Sequence, residues 1–261
     1  MRAVSSARSR PVRGVFAAAM DASSAMAVAV LSPHFDDSVL SCWHVLRGRA
    51  PVVVVNVFAG APPEAAPPGW WDRLTGACDA AARVRQRTSE DRAALLVAGR
   101  VPVNLDLLEA QHRWDTESPA AIAESIAPEV AGCDAVYAPA ALGAHPDHAL
   151  VRDAALCLRA GGARVRVYAD LPHAIRRGWP TWVAPDGLAA VDAQWADALT
   201  RCGLGQRPAL PRLHVLGGPA LRCKLVALRA YRTQIAALQE MAFAPLERIL
   251  RYEVVWELAR A

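Results

Sequence analysis

The sequence is almost devoid of lysine. Lys224 stands alone among 29 basic residues, and the arginine and alanine bias reads as a GC-rich coding background rather than a function. Long apolar runs are missing too. A membrane span needs roughly 18–20 apolar residues, and the longest uninterrupted stretches, over 25–31 and 51–58, are strand-sized, so stable membrane insertion is not expected. There is no C-x-x-C pair. Cys42, Cys78, Cys133, Cys157, Cys202 and Cys223 follow no short regular spacing, and a 261-residue chain needs no staples, so reduced thiols in a cytoplasmic protein are expected. Charge of one sign is scarce as well. The net charge of +4 comes from basic residues scattered among acidic ones, whereas a nucleic-acid binder concentrates them on one stripe. Nucleic acid is therefore set aside as a partner.

Apolar surface, in contrast, is plentiful. With 54% hydrophobic and 21% charged residues the chain must bury a core, and its length suits one large α/β domain. The opening MRAVSSARSRPVRGVFAAAM is Arg- and Ser-rich, with no acid before Asp21 and an apolar stretch too short for most secretory signals. It reads as a flexible tail over 1–24, or as residues ahead of a true start at Met20 or Met26, leaving a single domain over 25–261.

Strand and helix patterns then alternate. Strands are expected over 25–31, 51–58, 101–107, 134–139 and 164–169, and helices over 36–47, 78–98, 119–131 and 148–160. The segment AGAPPEAAPPGWW is too Pro-rich for either element. The last third is less regular, with helical patterns over 187–202 and 219–241. This order implies an α/β fold, a Rossmann-like three-layer sandwich with a mostly parallel sheet. In such sheets reactive groups gather on the loops that leave the carboxyl ends of the strands.

The loop after the first strand carries no glycine, which argues against a dinucleotide fingerprint, and no G-x-x-x-x-G-K-[ST] occurs anywhere. It carries Ser32-Pro33-His34-Phe35-Asp36-Asp37, one imidazole and two adjacent carboxylates. Adjacent carboxylates in a loop diverge, so one can hold a cation while the other serves as a base. A second cluster, Gly143-Ala144-His145-Pro146-Asp147-His148, follows the fourth strand and so falls on the same rim. Two His and one Asp leave a coordination position open for water, as in catalytic zinc, and the same donors accept Fe²⁺, Co²⁺ or Mn²⁺. The competing reading is that Asp36, Asp37 and Asp147 merely cap helices.

At these residues the sequence resembles the PIG-L/LmbE-like family of zinc-dependent N-deacetylases, through Pro33-His34-Phe35-Asp36-Asp37 and His145-Pro146-Asp147-His148 in that order. Fainter echoes lie at Ser41, Trp71-Asp72, 87–95, Ala110-Gln111-His112-Arg113, 168–173, Lys224, 231–234 and 252–256, so the resemblance spans 26–258. It departs at Cys42-Trp43-His44, where the family often has glycine, at His173 in place of a common tyrosine, and at Thr233 in place of serine.

The resemblance implies that His34, Asp37 and His148 hold Zn²⁺ and that Asp36 is the general base for a metal-activated water. It implies an electrostatic or general-acid role for His145, protonated and facing the oxyanion with Asp147 orienting it, and substrate binding by Arg87 and, more weakly, Arg113. The implied substrate is a small-molecule N-acetyl amino sugar within a lipid, thiol, glycopeptide, aminoglycoside or other specialised metabolite. Trp70, Trp71 and the Arg113-Trp114 pair are candidate walls of a sugar pocket, or else packing on the core rim. Two other readings stay open: an amidase acting on a non-sugar or thiol-conjugate amide, and a binding protein with a degenerate site. A homo-oligomer is compatible with the composition, which does not set the oligomeric state.

Overall fold

Valine dominates the first two strands, and stiff β-branched side chains suit a sheet covered on both faces. In the computed structural model, which describes residues 26–115, 117–201 and 210–259, seven strands form one sheet. They are β1 (Val28–Ser32), β2 (Val52–Asn56), β3 (Pro102–Asn104), β4 (Ala135–Pro139), β5 (Val165–Tyr168), β6 (Arg212–Val215) and β7 (Tyr252–Glu257). Their order is β3-β2-β1-β4-β5-β7-β6. The first five pair in parallel, and β7 runs antiparallel to both β5 and β6. The expected α/β fold with a mostly parallel sheet is thus what the chain adopts. The reading of 1–24 as a tail lies outside the described residues.

The helices are α1 (Asp37–Ser41), α2 (Trp43–Leu46), α3 (Trp70–Leu74), α4 (Ala80–Leu96), α5 (Pro119–Val130), α6 (Pro146–Ala160), α7 (Ala189–Arg201), α8 (Gly218–Leu228), α9 (Ile235–Met241) and α10 (Leu246–Ile249). Right-handed crossovers put α5 and α6 on one face, where they pack on each other and on β2, β4 and β5, while α1 and α4 meet α8 on the other. Among the described residues, no helix is long and apolar enough to cross a membrane.

Several elements differ from expectation, each for a physical reason. The helix expected over 36–47 breaks at Cys42, because Glu253 accepts the Trp43 and His44 amides (2.8 and 2.9 Å) and so caps a fresh start, α2. The helix expected over 219–241 is split into α8 and α9. Between them Tyr231 and Thr233 turn their side chains onto Asp91 and Glu90 of α4. The Pro-rich segment ends in α3, whose first amides are served by Asp72, which accepts from Gly69, and by Gln111, which accepts from Trp71. The last third contributes β6 and β7, two strands with no counterpart in the sequence reading.

The winding reverses beside β1. From β1 the chain adds β2 and β3 on one side, then crosses back to place β4 and β5 on the other. The crevice at such a reversal, beyond the carboxyl ends of β1 and β4, is where open α/β sheets place their ligands.

Candidate metal centre and cleft

The loop after β1 is folded by its own polar groups. Ser32 Oγ donates to the His34 carbonyl (2.6 Å) and accepts the Ser38 amide (2.9 Å), while Asp37 Oδ2 accepts the His34 amide (2.8 Å). Tyr168 Oη donates to the Leu31 carbonyl just upstream (2.8 Å), and Ser41 Oγ accepts the Leu171 amide from the loop after β5 (3.0 Å). After β4, Pro146 opens α6, where its missing N–H costs nothing, and His145 takes the N-cap position. α6 therefore starts two residues earlier than expected, with Asp147 and His148 in its first turn.

These loops bring the two sequence clusters together. Asp37 Oδ2 lies 3.3 Å from His34 Nδ1 and 3.4 Å from His148 Nε2. Tetrahedral coordination with bonds of about 2.0–2.1 Å sets neighbouring donor atoms about 3.3–3.4 Å apart, so the spacing fits a zinc-sized ion. His148 Nε2 is buried and has no hydrogen-bond partner. The outer nitrogens are both engaged: His34 Nε2 donates to Asp147 Oδ2 (3.0 Å) and His148 Nδ1 to Asp170 Oδ2 (3.1 Å). A carboxylate behind each imidazole fixes its tautomer and turns the other nitrogen inward, as metal sites require.

The electrostatics point the same way. Burial alone would lower the His34 and His148 pKa values. Asp147 and Asp37 outweigh it at His34, raising it to about 10, and Asp37 and Asp170 do so at His148, raising it to about 9. Asp37 is held well below the usual carboxylate range, against burial, by His148 and His34. A pocket of carboxylates this hungry for positive charge takes it as protons or as a cation, and a divalent ion is chemically at home here.

Asp36 stands apart. It occupies the N-cap position of α1, yet its side chain makes no capping bond, which removes the capping reading for this residue. Burial and the neighbouring Asp37 push its pKa up to about 6.

His145 departs from expectation. Burial and the His34 and His148 imidazoles push it down to about 3, so its resting state is neutral rather than protonated. Its Nδ1 accepts the Asp147 backbone amide (3.3 Å), which leaves the proton on Nε2. The Asp147 carboxylate does not orient His145 as expected. It accepts from His34, from Arg113 Nη2 (2.6 Å) and from the Ala110 amide (2.9 Å), because the first turn of α6 aims it at the loop after β1.

The centre lies at the bottom of a cleft of about 570 Å³, open mouth included, lined at its floor by His34, Asp36, Asp37, His145 and Asp147. Above it the cleft is lined by Trp70, Trp71, Arg87, Glu109 and Gln111, by Pro172 and His173 from the turn after β5, and by Leu238 and Met241 of α9. Arg87 is buried, donates to Glu109 (2.9 Å) and sits over the Phe35 ring at 5.4 Å. Arg113, expected at the substrate, is not in this lining. Its guanidinium is taken up by Asp147, by the Leu108 carbonyl (2.8 Å) and by the Phe58 ring (4.7 Å). Trp114 is 95% exposed and borders a separate surface hollow. Of the expected aromatic walls, then, only Trp70 and Trp71 flank the cleft.

Sequence reasoning met Asp170 and Tyr231 only among the fainter echoes and gave neither a role; Tyr231 donates from Oη to Asp91 Oδ1 (2.7 Å) within reach of the Phe35 carbonyl (3.0 Å). Cys42, Cys78, Cys133, Cys157 and Cys223 are all unpaired, as expected, and Cys202 lies outside the described residues.

No family model and no curated protein matches the chain. Among solved structures, it is similar to a triple mutant of a deacetylase of the teicoplanin biosynthetic pathway, at 26% identity over 90% of this chain and 98% of that one, with a TM-score of 0.67. It is similar to the A40926 pseudoaglycone deacetylase Dbv21 at 27% identity over the same shares, with a TM-score of 0.66. N,N'-diacetylchitobiose deacetylase from Pyrococcus horikoshii, at 15% identity over 88% of this chain and 84% of that one, shares the fold with a TM-score of 0.50.

Proposed function

We propose that this protein is a metal-dependent hydrolase that removes the N-acetyl group from an amino sugar carried on a specialised metabolite, after the manner of PIG-L/LmbE-like deacetylases. The observation that carries the reading is the meeting of His34, Asp37 and His148 around one point with Asp36 left over. The likeness to two deacetylases at 26% and 27% identity supports it.

His34, Asp37 and His148 would hold zinc, which when bound supplies a Lewis acid that polarises the acyl carbonyl and lowers the pKa of water to about 7. Asp36 is the general base. With a pKa near 6 it is ionised at neutral pH, yet basic enough to take a proton from the attacking water. As the water oxygen bonds to the carbonyl carbon, charge builds on the acyl oxygen, and the Nε2–H of neutral His145 donates to it. A donor of this kind contributes about 3–4 kcal/mol to the barrier reduction. Asp36 then returns its proton to the nitrogen as the C–N bond breaks, and acetate and the free amine leave. Trp70 and Trp71 would face the apolar side of a pyranose. Arg87, which lines the cleft, would meet a polar substituent.

The test is an acetate-release screen over a panel of N-acetyl amino sugars, with and without added Zn²⁺. Metal-dependent release from an amino sugar is expected. Release confined to N-acyl amino acids would replace this reading with a non-sugar amidase. Absence of bound metal by elemental analysis, with no loss of stability on chelation, would replace it with a binding protein.

A further inference from the structure

His173 enters the cleft from the turn after β5 and has no part in the donor set that converges on His34, Asp37 and His148. Its ring centroid lies 5.0 Å from that of His145 and 4.8 Å from that of His148. It is therefore the next imidazole along the cleft from the one assigned to the acyl oxygen.

Its placement is fixed from two sides. A Cβ on Gly143 would fall 2.5 Å from His173 Cβ and 2.6 Å from its carbonyl carbon and oxygen, so the loop carrying His145 closes on the His173 backbone only because residue 143 is glycine. Three residues upstream, Asp170 accepts the Leu142 amide (2.9 Å) and the His148 Nδ1–H (3.1 Å), tying the same turn to the metal-facing imidazole.

The ring's tautomer is set as well. Arg176 Nη2 lies 3.4 Å from His173 Nδ1. A guanidinium can only donate, so Nδ1 accepts and the ring proton sits on Nε2. Among the described residues, no acceptor engages Nε2. The result is an N–H donor without a partner on a ring that lines the cleft.

We propose that His173 is a specificity-determining residue whose Nε2–H donates to the substrate hydroxyl on the carbon next to the amide-bearing carbon. The proposal rests on the deacetylase reading. In an amino sugar the polar atom adjoining the amide is a ring hydroxyl, and with the acyl oxygen given to His145 that hydroxyl is the group left for the neighbouring donor. The site would thereby distinguish an amino sugar from a simple N-acyl amine.

The experiment takes the N-acetyl amino sugar of the panel that is turned over fastest, together with its analogue lacking that hydroxyl, and measures kcat and KM for acetate release by the metal-loaded protein. The wild-type protein should prefer the hydroxylated substrate by about tenfold in kcat/KM, mostly through KM, the scale of one neutral hydrogen bond. His173→Phe should abolish the preference at unchanged metal content, and His173→Gln, which keeps an N–H donor, should restore part of it. Gly143→Ala, which must displace the His173 turn, should weaken it. A preference that survives in His173→Phe, or none in the wild type, overturns this proposal alone. Release from neither substrate overturns the deacetylase reading and this proposal with it.

Discussion

Asp147 accepts a hydrogen bond from the outer nitrogen of His34 across 113 residues of sequence, at 3.0 Å. The bond links the loop after β1 to the first turn of α6 and aims His34 Nδ1 at Asp37. Removing the charge while keeping the shape should loosen the ion without unfolding the chain. Asp147→Asn is expected to weaken metal affinity by about 10–100-fold, read by competitive titration with a chromophoric chelator. Affinity unchanged from the wild type would mean that the bond does not tune the centre.

Asp36 should behave in the opposite way. Its side chain makes no capping bond and is assigned the proton rather than the ion. Asp36→Asn is expected to keep the full complement of metal while turnover falls by about 10²–10⁴-fold. Elemental analysis beside acetate release checks both halves, and a metal-free variant would exchange the roles of the two aspartates.

Metal binding should expel protons. Without a cation the carboxylates raise His34 to about 10 and His148 to about 9, so both imidazoles are charged at neutral pH. Loading a divalent ion at pH 7 is expected to release about two protons per site. Calorimetric titration in buffers of different ionisation enthalpy counts them. Release of none would place the ion elsewhere.

Far from the cleft floor, Glu253 accepts Lys224 Nζ (2.6 Å), His44 Nδ1 (2.7 Å) and the two amides that begin α2. Burial alone would raise this carboxyl, but Lys224 and His44 hold it at about 2. A lowered carboxylate pKa contributes stability that is full above the unfolded value, about 4.3, and is lost as pH falls toward the folded one. Acid unfolding should therefore steepen between those two values, and Glu253→Gln should flatten that part of the curve. Glu253→Ala strands a buried ammonium and should cost about 3–5 kcal/mol in denaturant unfolding. A loss below about 1 kcal/mol would show the pair to be dispensable.

What could be read from the sequence followed from locality. β1, β2 and β4 declare themselves as short apolar runs, and the His/Asp clusters immediately follow β1 and β4, so their shared rim came from strand order alone. The break at Cys42 could not be read, because its cause, Glu253, sits about 210 residues away. β6 was hidden for another reason. It is only four residues long, Arg-Leu-His-Val, too short for its alternation to stand out, and its side chains are only partly buried or exposed. α3 follows the prolines rather than containing them, and Asp72 at its N3 position was a local signal that could have exposed it. Asp170 had a weaker one: it lies just past β5, on the same rim as both clusters, but its partner His148 is 22 residues upstream with no spacing rule between them.

The pairing of β1 with β4 joins segments more than a hundred residues apart and sets the rim on which His34 meets His148. A nascent chain that has made only its first three strands owns half a binding site and cannot retain an ion. Under the proposed function, capture of the metal would come late and ratify completed assembly, and a chelator added during refolding should lower the yield of native protein while leaving the early collapse untouched.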